Sequence, residues 1–208
     1  MANKPIVIAF SGGCFSGKTT TMEKLKETLE ARGHRVTMLS ELVREHKIKS
    51  IDKLRENPSK YLGFQYEIIT AKIEAENNCK KADANVVLID RAITDSLFYL
   101  LFYVDKGKLS FDDLALFYNL QRRTIDHIHS AFFKIYDLVI EFSPISKPCD
   151  DAVYRPKQIR ALKYIESEVI SMFNDYANHG RCGTLVGWNL NEQSSETLIE
   201  SIIHRFKL

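Results

Sequence analysis

The chain has 208 residues, 45% of them hydrophobic and 27% charged, a balance that is typical of globular proteins and excludes disordered and fibrous classes. The formal net charge of only +2 offers no global electrostatic argument for a dedicated nucleic-acid binder. The cysteines are scattered without metal-ligand spacing, and the longest apolar stretch, 97–104, is too short to cross a bilayer. We therefore expect one domain over residues 1–208, in a reducing, cytoplasmic compartment and without a membrane partner.

Short apolar runs along the chain predict five β-strands. The runs are rich in Val, Ile and Leu without polar alternation, which is typical of strands that helices cover on both faces. They lie at 6–10, 35–39, 86–89, 138–142 and 184–188. Because helical periodicity fills the intervening segments, the sequence predicts a doubly wound α/β domain, with a parallel sheet between two helix layers.

Apolar spacing and capping signals predict the helices between these strands. The first helix begins at Lys18 and stops at Gly33. The second carries an apolar stripe of Leu62, Tyr66, Ile69 and Ile73. Further helices are predicted at 97–104, after a capping box at 110–113, and from a stripe over 162–176. The proline-containing stretch 143–156 is expected to form a mobile loop.

Residues 12–19 fit the phosphate-loop pattern G-x-x-x-x-G-K-[ST] at every fixed position. The segment follows a predicted strand and precedes a predicted helix, which is where backbone N–H groups form a nest for an anion. We expect Lys18 to reach the β- and γ-phosphates of ATP and the Thr19 hydroxyl to bind Mg²⁺. The alternative is a glycine-rich turn that happens to contain a lysine. The predicted ATP-binding residues are Gly12, Gly13, Cys14, Phe15, Ser16, Gly17, Lys18, Thr19 and Thr20.

The third predicted strand ends in Asp90-Arg91. A carboxylate at the end of a buried strand beside a phosphate loop is well placed to hold Mg²⁺, and Arg91 would neutralise phosphate charge. Alternatively, Asp90 opens the following helix. Thr94 and Asp95 either cap that helix or line the pocket.

Polar residues near the second strand and the second helix are candidates for binding the phosphate acceptor. Glu41 follows the second strand, so it would lie next to the phosphate site together with Arg44. There its carboxylate would accept the proton of the attacking hydroxyl. The alternative is an acidic first-turn residue behind a Ser40 cap. The amide of Gln65 would recognise a planar ligand edge, unless it lies at the solvent border of its helix.

A basic segment late in the chain is the candidate lid. Prolines bracket residues 143–160, which predicts a mobile segment that brings Arg155 or Arg160 onto phosphates when it closes. The alternative is a solvated basic helix face.

Together these residues resemble P-loop nucleoside and nucleotide kinases, in particular deoxynucleoside kinases and nicotinamide-riboside-kinase-like domains. In deoxynucleoside kinases a Glu after strand two activates the sugar hydroxyl and a Gln pairs with the nucleobase, which corresponds here to Glu41 and Gln65. An Arg-rich lid follows, which Arg155 and Arg160 would supply. The resemblance implies a five-stranded parallel sheet of order 2-3-1-4-5.

We therefore expect an ATP-dependent phosphotransferase that moves the γ-phosphoryl group to a hydroxyl or phosphate of a nucleoside- or nucleotide-type small molecule. Its expected catalytic residues are Lys18, Glu41, Asp90 and Arg91. Mg²⁺ would be held by Thr19 and Asp90. The acceptor would be held by Glu41, Arg44, Gln65, Arg91 and Asp95. Two other functions stay open, namely a kinase acting on DNA or RNA and a P-loop ATPase or switch acting through protein partners. A homodimer is also open.

Overall fold

In the computed structural model, residues 4–12, 16–40, 51–142, 184–190 and 192–208 are described. Several predictions lie outside these residues: the loop centre Gly13, Cys14 and Phe15, the acceptor residues Glu41 and Arg44, the lid arginines Arg155 and Arg160, and the helix at 162–176. Among the helices that are described, none combines the length and the apolar character needed to span a membrane.

The five predicted strands form one parallel sheet. They are β1 (Ile6–Gly12), β2 (Val36–Leu39), β3 (Val86–Asp90), β4 (Leu138–Phe142) and β5 (Thr184–Trp188). The order is β2-β3-β1-β4-β5, as the family resemblance implied. β1 and β3 each extend beyond the predicted runs, so that Gly12 and Asp90 belong to the strands themselves.

Helices connect the strands and flank the sheet. They are α1 (Lys18–Ala31), α2 (Ile51–Arg55), α3 (Pro58–Cys79), α4 (Ile93–Tyr103), α5 (Phe111–Lys134) and α6 (Ser195–Phe206), with a short 3₁₀ turn at Lys106–Lys108. The predicted capping box is confirmed, since the Ser110 hydroxyl accepts the N–H of Asp113 at 3.1 Å.

Two predictions about helices were wrong. α4 begins at Ile93 rather than at 97, because polar Thr94 and Asp95 are buried in its first turn instead of preceding it. Tyr66 is 42% exposed and does not belong to the buried stripe of α3. The other three residues of the predicted stripe, Leu62, Ile69 and Ile73, are buried as expected. The polar Gln65 and Lys72 are buried as well, so this face of α3 is less apolar than predicted.

The core consists of two apolar clusters, one on each face of the sheet. Alternate strand residues point to opposite faces. Val7 and Val87 therefore pack with α3, α4 and α5, whereas Ile8 and Leu88 pack with α1 and α6. This double burial explains the continuous apolar runs in the sequence and confirms the three-layer α/β/α fold.

The register of the sheet brings the predicted site residues to one edge. In the ladders Phe10 lies opposite Asp90, and Gly12 lies opposite Phe142. The carboxyl ends of β1, β3 and β4 therefore meet at the same edge, where open α/β sheets bind their ligands.

Candidate functional site

Gly12 is at the centre of the contacts at this edge. Its φ is +122°, which favours glycine, and an added Cβ would collide with the carbonyl oxygen of Phe142. The Gly12 carbonyl oxygen accepts hydrogen bonds from Lys18 Nζ at 2.9 Å and from Arg91 Nη1 at 3.3 Å. Two cationic side chains thus converge on one backbone carbonyl at the start of the phosphate loop.

The described end of the phosphate loop leads directly into α1. Gly17 precedes the helix with φ of +82°, and no side chain among the described residues caps α1. The first turn of the helix contains no acidic residue of its own, so its N–H groups and dipole contribute positive potential. Lys18 is buried, and its Nζ also donates to the Ser16 hydroxyl at 3.0 Å, whereas Thr20 is exposed.

Thr19 and Asp90 provide paired oxygen atoms next to the loop. The Thr19 hydroxyl donates to Asp90 Oδ2 at 3.0 Å, and the Asp90 side chain is buried at the end of β3. Hydroxyl and carboxylate oxygens are ligands that Mg²⁺ prefers in proteins. The residues present therefore fit the Mg²⁺ ion that the phosphate-loop pattern implies.

Arg91 adopts a conformation that is rare for a residue with a side chain. Its φ is +65°, and Lys207 is the only other non-glycine residue with positive φ in the described part of the chain. The guanidinium donates to the Tyr99 hydroxyl at 3.2 Å and lies 3.5 Å from Asp95 Oδ2. Backbone strain of this kind costs about 1–3 kcal/mol and is concentrated at functional sites.

Asp95 lies next to the start of the phosphate loop. It accepts a hydrogen bond from the Ser11 hydroxyl and forms an ion pair with Arg91. Burial raises the pKa of the Asp95 carboxyl, while the charges of Arg91 and Lys18 oppose that rise. Asp95 was considered either as a cap of the following helix or as a residue that lines the pocket. It lies in the first turn of α4, and its contacts place it beside the candidate site.

Gln65 belongs to a second polar group, on the side of α3 that faces α4. It is only 4% exposed, so the alternative of a solvent-border position was wrong. Gln65 hydrogen-bonds the Tyr61 hydroxyl, and the Arg55 guanidinium lies 3.6 Å from the ring centre of Tyr103 and 5.6 Å from that of Tyr61. Burial raises the pKa of Tyr61 to about 12 despite the opposing charge of Arg55.

Sequence reasoning missed a buried charged cluster behind Asp90. Lys72 Nζ donates to the backbone carbonyl of Asp90 at 3.1 Å, Glu76 lies one turn further along α3, and His127 on α5 contacts Glu76. The signal was present, because Lys72 and Glu76 follow Gln65 and Ile69 at helical spacing on the buried face of α3.

The fold and the contacts around the phosphate loop define a P-loop domain. A family model described as an AAA domain matches residues 7–179, and the chain belongs to that family. No curated protein matches the sequence.

Several solved structures share the fold. A NadR protein in complex with NR has a TM-score of 0.65 at 17% identity, over 96% of this chain and 51% of the NadR chain. A NadR protein in complex with NAD and AMP-PNP has a TM-score of 0.64 at 16% identity, over 98% of this chain and 50% of the other. Deoxyadenosine kinase from M. mycoides with bound dCTP has a TM-score of 0.63 at 14% identity, over 97% and 99% of the two chains. The chain thus spans about half the length of the NadR chains. These similarities establish the P-loop kinase fold.

Proposed function

We propose that this protein is an ATP-dependent, Mg²⁺-using phosphotransferase whose acceptor is a small nucleoside- or nucleotide-type molecule. One observation carries the proposal, namely the contact of 3.0 Å between Thr19 Oγ1 and Asp90 Oδ2 beside the buried Lys18. Paired oxygen ligands and a phosphate-binding lysine are the parts that phosphoryl transfer requires at one place.

In this proposal the chain's own residues bind and orient phosphate groups. Lys18 would bind the β- and γ-phosphates, and Arg91 would exchange its contact with the Gly12 carbonyl for a phosphate oxygen. Mg²⁺, when held by Thr19 and Asp90, would neutralise charge on the phosphates. Glu41 as the proton acceptor, and Arg155 with Arg160 as the lid, remain predictions from the sequence.

For the acceptor, the supporting features are Gln65 and the structural neighbours. Gln65 is buried and hydrogen-bonds the Tyr61 hydroxyl, and in the proposal its amide would pair with the edge of a planar base. The neighbours were solved with NR, with NAD and AMP-PNP, and with dCTP or dATP. The other acceptor-binding residues, Glu41, Arg44, Arg91 and Asp95, remain predictions from the sequence.

The family description favours a second candidate function. A match to an AAA domain over residues 7–179 supports an ATPase that acts through protein partners. In that case Lys18, Thr19 and Asp90 would keep their nucleotide-binding roles, but no small acceptor would be needed.

The test is ADP formation from Mg·ATP, alone and with a panel of nucleosides, mononucleotides and oligonucleotides. Lys18→Met is expected to reduce acceptor-dependent turnover by about 100-fold or more, since it removes a charge-stabilising donor. Lys26→Met is the matched control, because Lys26 lies on the same helix and pairs with Glu30 on the surface at 3.2 Å.

The panel separates the candidates. Phosphorylation of a nucleoside or mononucleotide supports the proposal, whereas phosphorylation of oligonucleotides alone would replace its acceptor with a polynucleotide. Turnover that needs no acceptor and rises with a protein partner would favour the ATPase. Undiminished acceptor phosphorylation by Lys18→Met would remove the phosphate loop from the mechanism. A cytoplasmic location and a homodimer are separate proposals, and ADP formation does not test them.

A further inference from the structure

Three ionisable side chains are buried together behind the carboxyl end of β3. Lys72 and Glu76 are 4% and 0% exposed on α3, and His127 is 7% exposed on α5. Lys72 Nζ lies 3.8 Å from Glu76 Oε1, and His127 Nε2 lies 2.9 Å from Glu76 Oε2. Removing such groups from water costs free energy that their mutual attraction often fails to recover. A contribution to stability therefore does not by itself explain why they are buried here.

Lys72 connects this cluster to the candidate site. Its ammonium group donates to the backbone carbonyl oxygen of Asp90 at 3.1 Å. That carbonyl belongs to the peptide group that joins Asp90 to Arg91, and Asp90 is the last residue of β3. The hydrogen bond from Lys72 therefore restrains the peptide group at the point where the chain leaves the sheet.

The restrained peptide group lies between two residues whose side chains belong to the site. On one side of it the Asp90 carboxylate accepts from Thr19, and on the other side the Arg91 guanidinium donates to the Gly12 carbonyl. Arg91 reaches this position with φ of +65°, a strained conformation that persists only where surrounding contacts enforce it. The hydrogen bond from Lys72 thus acts on the peptide group whose orientation is coupled to ψ of Asp90 and to the positive φ of Arg91.

We propose that Lys72 is a positioning residue that holds the Asp90–Arg91 peptide group so that the Asp90 carboxylate is oriented for Mg²⁺ and Arg91 for phosphate. Glu76 supports the Lys72 ammonium group and is itself held by His127 from α5. The inference rests on the proposed function, because it assigns Lys72 to the same Mg·nucleotide site.

The test uses nucleotide affinity, which requires no turnover. Isothermal titration calorimetry measures ATP binding with Mg²⁺ and with excess EDTA, and the ratio of the two affinities is the Mg²⁺-dependent gain. Loss of a residue that orients a metal ligand typically costs 10–100-fold in metal affinity. Lys72→Met is therefore expected to reduce the Mg²⁺-dependent gain by about tenfold or more, with a change below about twofold in EDTA.

Lys80→Met is the matched control. Lys80 directly follows α3, and its ammonium group also donates to a backbone carbonyl, that of Pro5, at 3.2 Å. Pro5 precedes β1, so this contact lies at the opposite edge of the sheet from the site. The same substitution there is expected to leave the Mg²⁺-dependent gain unchanged.

Two further variants keep the proposal testable if Lys72→Met does not fold. Lys72→Arg retains a cationic donor and is expected to keep most of the gain, whereas Glu76→Gln weakens the support of Lys72 and is expected to lose part of it. Denaturation curves identify the variants that fold.

Specific results would overturn the proposal. Equal losses with Mg²⁺ and with EDTA in Lys72→Met would indicate a purely structural role, and an unchanged gain in folded Lys72→Met or Glu76→Gln would also refute it. A parent protein without any Mg²⁺-dependent gain would overturn both this inference and the proposed metal site. If the Mg²⁺-dependent gain depends on Lys72 but the protein phosphorylates no acceptor, the result would refute the proposed phosphotransferase activity and leave the role of Lys72 supported.

Discussion

At the scale of single residues, Gly12 connects the end of β1 to the cations of the site. Its backbone passes so close to Phe142 that no side chain fits, and its carbonyl oxygen accepts from both Lys18 and Arg91. Gly12 thus has a positive φ, leaves no room for a side chain and accepts two hydrogen bonds. The geometry at the start of the phosphate loop therefore depends on this residue.

We expect Gly12→Ala to destabilise the fold by about 2–5 kcal/mol, the combined cost of positive φ and overpacking. Urea denaturation measures this loss, and calorimetry should show weaker ATP binding because the backbone must shift. Gly33→Ala is the control, since Gly33 also has positive φ, +88°, but has no atom within 4 Å of an added Cβ.

Gly33→Ala is expected to cost only about 1 kcal/mol and to leave ATP binding as in the parent. Equal effects of the two alanine substitutions would show that crowding at Phe142 is irrelevant.

At the scale of elements, α5 illustrates how local sequence starts a helix. The Ser110 hydroxyl accepts the N–H of Asp113, and Asp113 Oδ2 accepts the Ser110 hydroxyl at 2.8 Å. The Ser59 hydroxyl of α3 also donates to Asp113 Oδ2, at 2.7 Å, so the cap of α5 lies against the start of α3. Ser110 therefore serves α5 itself, whereas Ser59 links two helices.

Ser110→Ala should lower the free energy of unfolding by about 1 kcal/mol, because the backbone N–H of Asp113 loses its acceptor at the start of α5. Urea denaturation at neutral pH measures the change. Ser59→Ala removes only the inter-helix contact at an exposed position and should cost less than about 0.5 kcal/mol. A larger loss in Ser59→Ala than in Ser110→Ala would contradict the cap as the dominant contribution.

At the scale of the whole molecule, the buried thiol and phenol groups of the core are expected to lower stability at alkaline pH. Burial raises the pKa of Cys79 from 9.0 to about 11 and that of Tyr61 from 10.0 to about 12, and it also raises the pKa of Tyr136. The unfolded chain therefore releases these protons first, and stability is lost as pH rises above about 9. Lys72 acts oppositely, because burial lowers its pKa and the unfolded chain holds that proton longer.

We expect the free energy of unfolding, measured in urea, to fall steadily from about pH 9 to about pH 11. Tyr61→Phe removes one of the responsible groups, so its loss above about pH 10 should be smaller than that of the parent. Tyr118→Phe, at a position that is 56% exposed, serves as the control and should follow the parent profile. Stability that is constant or rises to pH 11 would show that these groups do not govern it.

The amino-acid sequence by itself determined the three-layer architecture, the strands and the phosphate loop. Strands covered on both faces must be continuously apolar. A loop that binds phosphate requires glycine, lysine and a hydroxyl at fixed spacing. Both patterns lie within a few neighbouring residues, so they are visible in the sequence. Thr19 and Asp90 are 71 positions apart, and they were predicted to hold Mg²⁺ together because Asp90 ends a buried strand beside the phosphate loop.

Only the tertiary structure decided where polar side chains on helices face. Gln65 and Lys72 are buried and Tyr66 is exposed, because the packing of α3 against α4, α5 and the sheet determines which face is covered. A polar residue on such a face is tolerated only with a partner. Lys72 has Glu76 on its own helix and the backbone carbonyl of Asp90, which belongs to a strand and lies 18 positions further along the chain. Helical spacing places Lys72 on the buried face of α3, but it does not identify the contacts of Lys72, since they exist only after the strand and the helix pack together.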